Sequence, residues 1–133
     1  MLLGNYFNSI HKSYKKLFFS GISFDTRSIK KNNIFFAIKG NDIDGNRFIS
    51  KAIEKGSKII VSEQKIKDFR NGILFIKTKN IRKLLAEVSF KIYNKIPKNL
   101  VAVTGTNGKS SVAEFYLQIM QLNKKKVASI GTL

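Results

Sequence analysis

The sequence predicts an α/β protein in two parts: a small α/β unit over residues 1–97, then the first strand, loop, helix and strand of a second unit over residues 98–133. Three observations predict it. Short apolar runs rich in β-branched and aromatic residues alternate with segments of helical spacing, the pattern of a parallel sheet covered by helices. A glycine-lysine-hydroxyl loop at residues 105–111 joins one such run to one such segment. The single proline, Pro97, separates the two parts, and proline disfavours helix at the residue before it.

Taking the elements in order, residues 5–19 are predicted as a helix with Tyr6, Ile10, Tyr14, Leu17 and Phe18 near one face. Gly21 breaks it, and Ile22-Ser23-Phe24-Asp25 reads as a strand. Asp25-Thr26-Arg27-Ser28 and Lys31-Asn32-Asn33 are turns. The run Ile34-Phe35-Phe36-Ala37-Ile38 is short and aromatic enough for a buried strand, and a loop with glycine at each end follows at 40–45. Phe48, Ile49, Ala52 and Ile53 mark a helix, with Gly56 where a terminating glycine belongs. Lys58-Ile59-Ile60-Val61 and Ile73-Leu74-Phe75-Ile76 are strands. Asn80 can cap a helix whose apolar positions are Ile81, Leu84, Leu85, Val88 and Ile92, ending near Tyr93. Past Pro97, residues 101–104 read as a strand, 110–122 as a helix and 127–130 as a strand.

Composition narrows the function classes. The 133 residues are 43% hydrophobic, enough for a real core, and contain no cysteine, which excludes a disulfide framework, a cysteine metal site and a thiol nucleophile. The N-terminus lacks the apolar core of a secretory signal, and no apolar run approaches the ~18 residues of a membrane helix, so a cytoplasmic protein without membrane insertion is expected. The net charge of +17 invites a nucleic-acid partner. Against that, 21 of the 25 basic residues are lysines spread along the chain, beside twelve asparagines, whereas phosphate and base recognition favour the arginine fork. A solvated basic surface is expected, with no dedicated nucleic-acid partner. The one histidine, His11, is expected at the surface with no partner group near it.

The chemistry lies at Gly105-Thr106-Asn107-Gly108-Lys109-Ser110-Ser111. Strand, loop and helix in that order aim loop amides and the first helical turn at one spot, where the helix dipole adds positive potential. Lys109 can reach the outer phosphates of a nucleotide, and Ser110 can offer its hydroxyl to Mg²⁺. The usual G-x-x-x-x-G-K-[ST] pattern would need glycine where Val103 stands.

Three segments together resemble the N-terminal part of the Mur ligases, cytoplasmic enzymes that add amino acids to the UDP-linked peptidoglycan precursor. Phe24-Asp25-Thr26-Arg27-Ser28 is similar to the family's Asp-Ser-Arg turn, with threonine for serine. The run from Ile34 to Gly40, followed by Asp44-Gly45-Asn46-Arg47-Phe48-Ile49, resembles its F-x-A-x-x-G and D-G-x-x-F/Y-I segments. Residues 103–111 match its ATP loop, which also accounts for Val103, although threonine is commoner there at the Ser110 position. The form of the loop and the Ser129-Ile130-Gly131-Thr132-Leu133 stretch are nearest to the members that add the third residue, meso-diaminopimelate or L-lysine, with meso-diaminopimelate expected.

The resemblance implies that residues 1–97 bind the UDP end of UDP-MurNAc-L-Ala-D-Glu through Phe24, Thr26 and the loop residues Asn41, Asp42 and Ile43. From the residues alone, Asp25-Thr26 reads equally as an Asx-type turn. It further implies that Gly105 to Ser111 hold ATP, with Lys109 catalytic and Ser110 on Mg²⁺, and that the reaction passes through an acyl phosphate. Further magnesium ligands, a modified lysine and the amino-acid pocket are expected beyond Leu133, so the chain is expected to be an N-terminal portion, inactive alone and monomeric. The alternatives are the D-Ala-D-Ala-adding member, a non-catalytic UDP-sugar or nucleotide-binding module, and a basic nucleic-acid binder.

Overall fold

Residues 34–36 and 59–61, at the centre of the first unit, are apolar at successive positions because both faces of their sheet are covered. The computed structural model describes residues 1–64, 69–70, 72–95 and 97–131. The chain divides into two compact units, Met1–Lys95 and Ile96–Leu133. In the first, strands β1 (Gly21–Ser23), β2 (Asn33–Phe36), β3 (Ile59–Ser62), β4 (Phe69–Arg70) and β5 (Ile73–Lys77) form a five-stranded sheet of order β1-β2-β3-β5-β4. All neighbours are parallel except β4, which pairs antiparallel with β5.

Side chains alternate across the strands. Ile34, Phe36, Ile59, Val61 and Leu74 pack with Leu3, Phe7 and Phe19 and with Ile81 and Val88 of α2 (Ile81–Ile92). Phe35 and Ile60 face the other way, onto Ile29, Ala37 and Ala52 of α1 (Ile49–Glu54). The result is an α/β/α sandwich in which β2 and β3 are buried throughout. Each fully buried Ile or Phe contributes about 1.5–3 kcal/mol relative to exposure.

Helix α2 starts where expected: Asn80 Oδ1 accepts from the Lys83 amide at 2.9 Å, and Glu63 Oε1 accepts from the Ile81 amide at 2.9 Å. The helix expected at Phe48, Ile49, Ala52 and Ile53 is entered by a 3₁₀ turn, Gly45–Phe48, and continues as α1; Gly56, at φ +92°, follows its end.

The predicted helix over residues 5–19 does not form. Two 3₁₀ turns, Leu3–Asn5 and Lys12–Tyr14, replace it. The amides of Leu3, Gly4 and Phe19 donate to the carbonyls of Leu17, Lys15 and Met1, each at 2.9 Å, folding the segment back on itself. Asn8, Ser9, His11 and Ser13 are weak helix formers, so these long-range bonds prevail. Leu3, Phe7 and Phe19 become core, while Phe18, expected on an apolar face, is exposed. His11 is exposed as expected, but it has a partner: its Nδ1 lies 2.8 Å from the Ser13 hydroxyl.

The second unit contains helix α3 (Lys109–Leu122). The segments read as strands at 101–104 and 127–130 are not strands, and none is assigned among the described residues of this unit. A strand is defined by its ladder to a neighbour, and neither segment has one. Ile96, beside the Pro97 break, and Thr132 and Leu133, at the end of the 129–133 stretch, lie outside the described residues. Among the described residues no helix is long and apolar enough to cross a membrane.

Candidate functional sites

At the carboxyl ends of β1 and β2 the chain leaves the sheet, the place where open parallel sheets form ligand crevices. Phe24 follows β1 directly, in a turn built by Asp25. Asp25 Oδ1 accepts from the Arg27 amide at 2.8 Å, and both carboxylate oxygens accept from Arg27 Nε at 3.1 and 2.9 Å. The Ser28 amide donates to the Asp25 carbonyl at 3.1 Å, and the Ser23 hydroxyl donates to the same carbonyl at 2.8 Å. The Arg27 side chain, and after it the Arg27 amide, hold the Asp25 carboxyl below its ordinary range. Across the fold, Lys55 Nζ donates to the Thr26 carbonyl at 2.7 Å. The Asx-type turn is therefore present.

The loop at 40–45 is pinched at its base. The Gly40 amide donates to the Ile43 carbonyl at 2.8 Å and the Gly45 amide to the Ile38 carbonyl at 2.9 Å. A Cβ at Gly45 would strike the Ile38 carbonyl, so only glycine permits this approach. Asp44 Oδ1 accepts from the Asn46 amide at 2.9 Å and from Asn46 Nδ2 at 2.7 Å, and these bonds, the amide first, lower its pKa. The Ser62 hydroxyl donates to Asn46 Oδ1 at 2.7 Å, tying the loop to the end of β3.

Between turn, loop and α2 lies a cleft of about 470 Å³ with apolar walls from Phe24, Ile38, Ile43, Phe48 and Leu85. Phe24 is 65% exposed and Ile43 62%, so two large apolar side chains stand bare at this spot. Arg82 is the one charged residue among the described residues that line it. A smaller hollow of about 240 Å³ continues past Phe24 and Leu85 towards Ser28 and Ser89. An apolar cleft with a single polar handle suits a small organic ligand.

Of the five residues expected to hold a UDP end, Phe24 and Ile43 meet in this cleft. Thr26 is buried and engages through its carbonyl, and Asn41 and Asp42 are exposed on the loop; none of these three lines the cleft. Sequence reasoning missed Arg82 and assigned Leu85 to the core stripe alone. The signal was their i, i+3 spacing, which sets Arg82 on the same face of α2 as Leu85.

In the second unit, Gly105 to Ser111 form one continuous loop and helix start. Gly105 has φ +148° and Gly108 φ +74°, the latter at the N-cap of α3 with no side-chain hydrogen bond. The Val112 amide closes the first turn onto the Gly108 carbonyl at 3.0 Å. Earlier amides of a helix have no intrahelical acceptor and carry its positive end. Lys109 Nζ donates to the carbonyls of Gly105 at 2.6 Å and Thr106 at 3.3 Å, so its ammonium lies over the loop. Thr106, Asn107, Ser110 and Ser111 are exposed. No cluster of three or more His, Cys, Asp or Glu occurs among the described residues. The Ser110 hydroxyl, a single hard-oxygen ligand, fits a Mg²⁺ that keeps its other positions for water and phosphate oxygens.

Residues 19–100 match the family model described as "Mur ligase family, catalytic domain". The chain is 38% identical over 125 residues to a UDP-N-acetylmuramoyl-L-alanyl-D-glutamate--2,6-diaminopimelate ligase of Rickettsia prowazekii, covering 94% of this chain and 26% of that protein. It is 45% identical over 120 residues to the protein of that name from Clostridium tetani, covering 84% and 24%. The chain thus spans about a quarter of the length of these curated relatives. The MurF ligase of Thermotoga maritima, solved in complex with ADP, shares its fold at a TM-score of 0.59 and 23% identity, over 76% of this chain and 23% of that one. The structure of a UDP-N-acetylmuramoylalanyl-D-glutamyl-2,6-diaminopimelate--D-alanyl-D-alanyl ligase from Acinetobacter baumannii aligns at 0.56 and 20%, over 78% and 23%.

Proposed function

The chain belongs to the Mur ligase family, and on that premise we propose that it forms the uridine-holding unit and the opening nucleotide loop of an ATP-dependent ligase of peptidoglycan precursor synthesis. Residues 1–97 are the UDP-substrate unit and residues 98–133 the start of the ATP unit. The relatives' names support UDP-MurNAc-L-Ala-D-Glu as acceptor and meso-diaminopimelate as the residue added. The observation that carries the nucleotide assignment is the ammonium of Lys109, 2.6 Å from the Gly105 carbonyl, at a helix start without a side-chain cap.

The reaction joins a carboxylate to an amine. A carboxylate oxygen of the acceptor attacks the γ-phosphorus of ATP, ADP leaves, and the resulting acyl phosphate is attacked by the amine, which expels phosphate. Lys109 and the first amides of α3 bind the phosphates and offset the charge that builds on them. Bound at Ser110, Mg²⁺ supplies further charge neutralisation. In the first unit, Phe24 and Ile43, which line one cleft, offer apolar surface to the pyrimidine. This chain alone does not turn over; it acts in the cytoplasm as part of a monomeric enzyme.

Titrating the chain with UDP-MurNAc-L-Ala-D-Glu, ATP and a random oligonucleotide at about 150 mM salt tests the reading. Binding of the first two, each without displacing the other, is the expected result. Preference for the oligonucleotide with steep salt dependence, or no binding of the uridine ligand, would sink it.

A further inference from the structure

Arg82 stands apart from the other basic residues. The chain has four arginines against 21 lysines, and this one lines an otherwise apolar cleft. Its Nη2 donates to the Lys39 carbonyl at 3.3 Å, a long bond that sets the guanidinium at the base of the 40–45 loop and uses one of its five N–H groups. Lys39 pairs with Asp44 at the base of the loop and does not line the cleft. In the first turn of α2 the amides of Ile81 and Lys83 are already bonded to Glu63 and Asn80, and the Arg82 side chain is the cationic donor that lines the cleft.

Resting on the cleft as the uridine site, the geometry points to Arg82 as a diphosphate-binding and specificity-determining residue. Its guanidinium takes the phosphate oxygens of a nucleoside diphosphate whose base lies between Phe24 and Ile43. Three features favour phosphate over base. The walls that would contact a base are apolar, the guanidinium is on the exposed side of the cleft, and a planar fork matches phosphate oxygens two at a time. The cleft then discriminates nucleoside diphosphate from nucleoside through one side chain, while the walls contribute equally to both.

The test compares UDP and uridine binding to the whole chain and to its R82A and R82K variants. The Ile43 methyl resonance locates binding in the first unit. Arg82 is exposed, so neither variant threatens folding. A lost charge-assisted bond lowers affinity about tenfold or more. R82A is expected to weaken UDP by that factor and leave uridine unchanged, with R82K intermediate because it keeps charge but not the fork. Equal weakening of both ligands would assign Arg82 to the base and overturn the inference, as would unchanged UDP affinity. If the unsubstituted chain shifts the Ile43 methyl with neither ligand, the cleft assignment itself fails.

Discussion

Lys55 and Thr26, 29 positions apart, are joined by a hydrogen bond of 2.7 Å from the ammonium to the backbone carbonyl. This bond anchors the Asp25 turn to the end of α1 and so sets where Phe24 enters the cleft. Lys55→Met removes it while keeping the apolar stem. The expected cost is about 1 kcal/mol in urea unfolding, with a several-fold weaker UDP affinity. Unchanged affinity alongside lost stability would confine the bond to a structural role.

Gly45→Ala should do more harm than an ordinary loop substitution. Its new Cβ meets the Ile38 carbonyl, a backbone atom that cannot swing away. Overpacking of this kind costs about 1–3 kcal/mol. A lower denaturant midpoint at unchanged slope is the expected signature, with the Ser62–Asn46 bond loosened as the loop shifts.

Lys109→Ala separates the two units functionally. In the full-length ligase it should abolish turnover and weaken ATP binding, leaving the affinity for UDP-MurNAc-L-Ala-D-Glu within twofold. An unchanged kcat would refute the phosphate-loop assignment.

The Asp25 turn is acid-sensitive, with a definite sign. Its carboxyl is held below the ordinary range first by the Arg27 side chain and then by the Arg27 amide. A carboxyl lowered in the folded state favours folding above its ordinary range, about pH 4, and that contribution is lost as pH falls through the lowered value. Carbon-detected NMR should show Asp25 titrating below a free aspartate. Arg27→Ala should move the midpoint upward without restoring it fully, because the position-27 amide remains.

Much of the first unit was legible in its residues. The runs at 34–38, 59–61 and 73–76 are apolar at successive positions because two layers cover the sheet, and that pattern survives without knowledge of the partners. Asn80 and Gly56 mark helix ends through bonds local in sequence. The first nineteen residues were misread because their conformation rests on pairing Met1, Leu3 and Gly4 with Phe19, Leu17 and Lys15, which no helical periodicity encodes. The site divides in the same way. The 105–111 loop is contiguous and could be read directly, whereas the cleft is assembled from residues 24, 38, 43, 48, 82 and 85, so Arg82 became visible only when α2 was laid against the turn.

Gly108 begins α3 with no side chain to accept its first amides. A helix started in this way is incomplete at one end, and an anion that settles there finishes it. On the proposed assignment a bound phosphate takes the place of that missing cap, so the affinity of the loop includes the hydrogen bonds it accepts from the first amides of α3. A side chain at position 108 would have to adopt φ +74° and would crowd the place the ligand needs: a strained helix start and a weaker binder from the same substitution.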